Sequence, residues 1–153
     1  MNIDKYALRA GANRRVFAFV SEGPKGAIPK LIVFEEAEIE NVPPGTYNLA
    51  FGDRDPVTGM LDDQARSNNG DTDKVLATVV AALYAFFEIY AEAAVFATGS
   101  TPARTKLYRM GIARFYEEMQ QDFHLYGRLT ATEAFVDFEL GAEYDAFLAQ
   151  RKK

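Results

Sequence analysis

The chain contains no cysteine. That absence excludes structural disulfides, thiolate metal sites and cysteine nucleophiles, and it fits a reducing compartment. There is one histidine, His124, so any Ser-His-Asp arrangement would have to use it. It sits in DFHLYG without a distinctive neighbourhood and reads as structural or solvated. The chain has no G-x-S-x-G, no Walker A and no H-E-x-x-H pattern. Gly11, Gly23 and Gly26 belong to turns, not to a dinucleotide fingerprint. No catalytic residue is assigned. Long hydrophobic runs are also missing. The longest, Val75–Phe87, is interrupted at Thr78 and closed by Glu88, short of the roughly 18–20 residues that span a bilayer, and it reads as a core helix. MNIDKYALRAGANRR at the start has no apolar h-region. The expectation is a cytoplasmic protein with no signal peptide and no membrane association. Positive charge is in deficit: 17 Lys and Arg stand against 22 Asp and Glu, for a net charge of −5. That balance argues against nucleic acid as a partner, because phosphates repel it at long range.

What is present suffices for a packed core. The 153 residues are 48% hydrophobic and 13% aromatic, which predicts one domain over 1–153 that folds without metal or cofactor. RRVFAFVS (14–21) and KLIVFEEAE (30–38) read as strands joined by the EGPKG turn into an antiparallel hairpin. After NVPPG (41–45), TYNLAFG (46–52) is a third strand, DRDPVTG (53–59) a turn, and 60–67 a polar fourth strand. The acids of NNGDTD (68–73) suit the start of a helix over 74–92. Leu76, Val79, Val80, Leu83, Phe86, Phe87 and Tyr90 form its apolar stripe. Ala77, Ala81, Ala82 and Ala85 lie behind it, which suits a central helix or a homodimer interface. A short buried strand (93–98), a second helix (102–121), a strand pair (123–129 and 134–140), a short element at 144–148 and a solvated tail at 151–153 complete the reading. Strands mostly precede helices, so the fold class is α+β: a largely antiparallel sheet of about five to seven strands packed against two main helices.

One stretch carries a sharper signal. In VFATGSTPARTKLYRMGI (95–112), Gly99 permits a close turn, Ser100 or Thr101 can cap the second helix, and Pro102 suits its first position. A helix start offers free N–H groups and partial positive charge. A helical wheel places Arg104 with Leu107, Tyr108, Gly111, Phe115 and Met119 on the apolar face, with Lys106 and Arg109 opposite, towards solvent. An inward arginine needs a partner. Two remain open: an internal carboxylate, with Asp53, Asp55 and Asp71 as candidates, or an anionic ligand held by Gly99, Ser100, Thr101 and Arg104. Gly111 has no explanation in helix propensity.

Asp53, Asp55, Asp62, Asp63, Asp71 and Asp73 make an acid cluster, but NNGDTDKV lacks the ligand alternation of an EF-hand, and turn chemistry and capping account for it. No metal or cofactor is assigned. Tyr6, Phe17, Phe19, Tyr47, Phe51, Tyr84 and Tyr90 read as core, since a base-stacking platform would need a basic groove beside them. FVSEGPKG (19–26), YNLAFGDRD (47–55), SNNGDTDKVLATV (67–79) and VFATGSTPARTKLYRMGI (95–112) resemble a family of small bacterial proteins, of Bacteroidetes type, known only as a domain of unknown function. The resemblance covers most of the chain and implies no activity, substrate or cofactor. Three functions follow from the residues: a non-enzymatic binding protein that takes a phosphate-bearing small molecule or a partner's acidic group at Gly99–Arg104; an enzyme on a phosphorylated or nucleotide substrate, with Asp53, Asp55 and Asp71 beside the same arginine; or a structural homodimer or operon-partner subunit.

Overall fold

A computed structural model describes residues 4–11, 13–62 and 68–153. Among them are nine strands in one sheet and three helices. β1 (Arg9–Ala10), β2 (Val16–Gly23), β3 (Gly26–Glu36) and β4 (Thr46–Arg54) form an antiparallel run, with β2 and β3 joined by the turn the sequence predicts. Gly23 pairs with Gly26, whose φ of 90° is the left-handed conformation this tight turn requires. β5 (Leu61–Asp62) pairs with the end of β4. The remainder of the expected fourth strand, 63–67, lies outside the described residues. α1 (Thr72–Ile89) then crosses to β6 (Ala94–Ala97), which runs parallel to β4. Every other pairing is antiparallel. β7 (Phe123–Arg128), β8 (Phe135–Asp137) and β9 (Ala146–Arg151) complete the order β1-β2-β3-β4-β6-β9-β7-β8.

The α+β, largely antiparallel architecture is as the sequence indicates, with more elements than expected. The largest correction is β9. Most of the short element at 144–148 and the first residue of the tail, Arg151, belong to one central strand, β9, inserted between β6 and β7. Ala146, Phe147, Leu148 and Ala149 are all buried, so neither face supplies the polar alternation that marks a strand. The cations of the tail are engaged rather than loose. Arg151 donates to the carbonyl of Phe87, Lys152 to that of Gln120, and Lys153 pairs with Glu92. The second helix is also two helices, α2 (Pro102–Arg114) and α3 (Tyr116–Asp122), separated at Phe115, whose φ and ψ of −113° and 21° leave the helical region.

All three helices pack on one face of the sheet, where the apolar stripe of α1 meets Phe17, Ile32, Phe34, Leu49 and Phe51. Phe34 stacks on Phe86 with centroids 4.3 Å apart. Ala77 and Ala82 are fully buried within the chain, while Ala81 and Ala85 are half-buried. On the other face, Ala94, Phe96, Ala146 and Leu148 form a smaller cluster covered by Ile39 and Val42. No helix of the described residues is long and apolar enough to cross a membrane.

Candidate functional site

The start of α2 is built as its residues predict. Thr101 caps it in extended conformation, its Oγ1 accepting from the N–H of Arg104 at 3.2 Å, and Pro102 occupies the first turn. Gly99 donates its N–H to Thr105 Oγ1 at 3.0 Å. A Cβ on Gly99 would lie 2.3 Å from the backbone nitrogen of Thr105 and 2.4 Å from the Cβ of Arg104, so close packing, not backbone freedom, demands glycine. The turn thus engages much of its own hydrogen-bonding capacity.

Arg104 lies on the apolar side of α2, as the wheel predicts, and is half-buried. Its surroundings follow from the way β4 overhangs its neighbours. β6 pairs with β4 only at Thr46–Asn48, and β5 only at Asp53–Arg54. Between them, no strand among the described residues pairs with β4 on that side. There the carbonyl of Phe51 accepts from Arg104 Nη1 at 3.1 Å, and that of Leu49 accepts from the Tyr108 hydroxyl at 3.3 Å. The Arg104 guanidinium also lies 5.9 Å from the Phe51 ring centre, and Tyr108 meets the same ring edge-on. A buried backbone carbonyl left without a donor is costly, so these two side chains of α2 do for β4 what a longer β6 would do.

The acidic residues are distributed rather than gathered. Asp53 pairs with Lys30 in a largely buried ion pair on the helix side of the sheet, directly across the β4–β5 pairing from Asp62. Asp55 accepts from the backbone of Thr58 and Val57, and these hydrogen bonds hold its carboxyl below the usual aspartate range. Asp71, at the start of α1, accepts from Tyr6 at 2.6 Å and from Ser21. Asp73 lies 3.5 Å from Arg114. Asp63 falls outside the described residues. Among the described residues, no three carboxylate or imidazole groups converge as a metal site would require. His124 is exposed on β7, opposite Gln150.

Asp71 belongs to a buried network that joins two distant motifs. Asn69 donates through Nδ2 to Ser21 and to the carbonyl of Gly26, and accepts from the N–H of Lys25. Ser21 and Asn69 are almost wholly buried, and Gly23 leaves no space beside Asn69 for a side chain. FVSEGPKG and NNGDTD are therefore two sides of one joint between the β2–β3 turn and α1. Ser21 has no exposed surface, so it serves as a structural hydroxyl.

On the other side of α2 a cleft of about 610 Å³ opens. Gly99, Ser100 and Thr101 line it; Arg104 does not. Its cations are Lys106, Arg109 and Arg128, and its carboxylates Glu143 and Asp145. Arg128 Nε is 2.7 Å from Asp145, and Arg109 4.0 Å from Glu143. Lys106 makes no ion pair among the described residues. Sequence reasoning left Lys106 and Arg109 to solvent and missed Arg128, Glu143 and Asp145. The last three come from segments after α3 that only the placement of β9 brings to this helix, so no local pattern signals them. Asp53, Asp55 and Asp71 are not among the residues that line the cleft.

No curated protein and no solved structure matches the chain. A family model, that of the family of unknown function DUF6934, matches residues 2–152. With nearly its whole length matched, the chain belongs to the family of unknown function DUF6934.

Proposed function

We propose that this protein is a non-enzymatic binding protein that takes an anionic group, the phosphate of a small molecule or an acidic group of a partner, in the cleft beside the start of α2. The observation that carries the reading is the collection of Lys106, Arg109 and Arg128 around the Gly99–Thr101 turn in a space of about 610 Å³. Cationic side chains next to a helix start complement an anion through charge-assisted hydrogen bonds and the helix dipole. Asp145 pairs closely with Arg128 and Glu143 lies 4.0 Å from Arg109, so an incoming anion competes with Glu143 for Arg109. Ser100 and Thr101 stand at the rim as hydroxyl contacts. Arg104 supports the site from behind, through its hydrogen bond to β4.

Thermal unfolding against inorganic phosphate, sugar phosphates, nucleotides and acidic peptides tests this. A ligand at a hundred times its dissociation constant adds about 2.7 kcal/mol to stability. The expected result is a shift in the wild type that disappears in the Lys106→Ala, Arg109→Ala double variant and persists in Arg104→Ala, which melts earlier with or without ligand. No shift with any anion would remove the proposal.

A further inference from the structure

The space between α1, α2 and the sheet is incompletely filled. A cavity of about 60 Å³ lies there, walled by Leu49 and Phe51 of β4, Leu76 and Leu83 of α1, and Tyr108 and Gly111 of α2. The hydroxyl of Tyr108 is directed to the carbonyl of Leu49. A buried water needs about two to four polar partners, and the described residues of the wall offer little beyond the Tyr108 hydroxyl. The volume is several times the roughly 10–15 Å³ that admits one water and under half the roughly 150 Å³ of an apolar cavity that admits benzene. Its size and lining suit an apolar occupant smaller than an aromatic ring.

Gly111 is an independent observation pointing to the same place. Glycine within a helix is destabilising relative to alanine, and usually some constraint requires it. Gly111 is buried in the body of α2. A Cβ there would meet Leu76 Cδ2 at 3.5 Å, an ordinary contact. Neither backbone conformation nor crowding calls for glycine, in contrast to Gly99. What glycine does at this position is leave the cavity the volume that a methyl group would take. We infer that the cavity beneath α2 is a binding site for a small apolar molecule of a few non-hydrogen atoms, kept open by Gly111. The site lies on the opposite side of α2 from Lys106 and Arg109, so it stands independently of the anion cleft.

Methyl-resolved NMR of the full chain, titrated with xenon, cyclopropane and benzene, tests the inference. Saturable shifts at the methyl groups of Leu49, Leu76 and Leu83 are expected with xenon and cyclopropane, without a comparable response to benzene. Gly111→Ala is expected to fold and to lose the xenon response, and Leu76→Ala, which enlarges the space, to gain a benzene response. Absence of a saturable xenon response in the wild type would overturn the inference. So would a response in Gly111→Ala as strong as in the wild type, or benzene binding the wild type as well as xenon does.

Discussion

Gly99 has the backbone of Thr105 and the Cβ of Arg104 where a side chain would go. Substitution by alanine must therefore move the α2 start away from the turn or strain both. Gly99→Ala is expected to destabilise the fold by about 1–3 kcal/mol, the range for overpacking a close-fitted site, measured by urea denaturation. Gly111→Ala should move the same measurement the other way, with a gain of about 0.5–1 kcal/mol from helix propensity. Both glycines occur in the motif VFATGSTPARTKLYRMGI, and nothing in their sequence context separates them. The first could be inferred as a turn glycine beside a cap, since Ser, Thr and Pro follow it. The second could be noticed but not explained, because what surrounds it is a cavity whose other walls belong to α1 and the sheet.

Each element is held by side chains that belong to another. β4 extends past the end of β6, and there its Phe51 and Leu49 carbonyls accept from Arg104 and Tyr108. Tyr108→Phe keeps the ring against Phe51 and removes the donor to Leu49. With that buried carbonyl unsatisfied, the expected loss is about 1–3 kcal/mol, read as a lower denaturation midpoint with an unchanged m-value. A loss near zero would mean that the Leu49 carbonyl is satisfied in another way. The helical wheel placed Arg104 inward correctly because periodicity records which side of α2 faces the core. It could not say what Arg104 meets there. That depends on how far β6 extends along β4, a long-range property of the sheet. The acidic loops illustrate the same limit: Asp53, Asp55 and Asp71 are close in kind but separated in space, with Lys30, a local turn, and Tyr6 with Ser21 as their respective partners.

At the scale of the molecule, three tyrosines tie remote segments together and share one electrostatic property. Tyr6 brings the N-terminal arm to Asp71, Tyr47 meets Glu36 and Arg15 across the sheet, and Tyr84 donates to Asp122 at the end of α3. Burial raises the pKa of each phenol, and hydrogen bonds to the carboxylates of Asp71, Glu36 and Asp122 raise it further. The folded state therefore keeps these protons at a pH where the unfolded chain, with phenols near about 10, releases them. Their contribution is complete below that pH and declines as pH rises towards the folded-state values. The melting temperature should fall steeply above about pH 10, and Tyr84→Phe, which has no proton to lose, should make the fall shallower. Equal slopes for the two proteins would show that Tyr84 does not share in this linkage.

The sequence by itself determined the fold class, the β2–β3 hairpin, the apolar stripe of α1 and the capped start of α2. These are local properties, written in periodicity, turn chemistry and capping residues whose effects reach only a few positions along the chain. Tertiary structure alone decided the central place of β9, whose two buried faces erase the alternation that marks a strand, and the break at Phe115. It also decided the chemistry around α2. Arg104 meets a carbonyl of β4, while Arg128, Glu143 and Asp145 reach the cleft from segments after α3. Such meetings depend on strand order and on where each strand stops. Those outcomes arise from packing the whole sheet at once, and no short window of residues contains them.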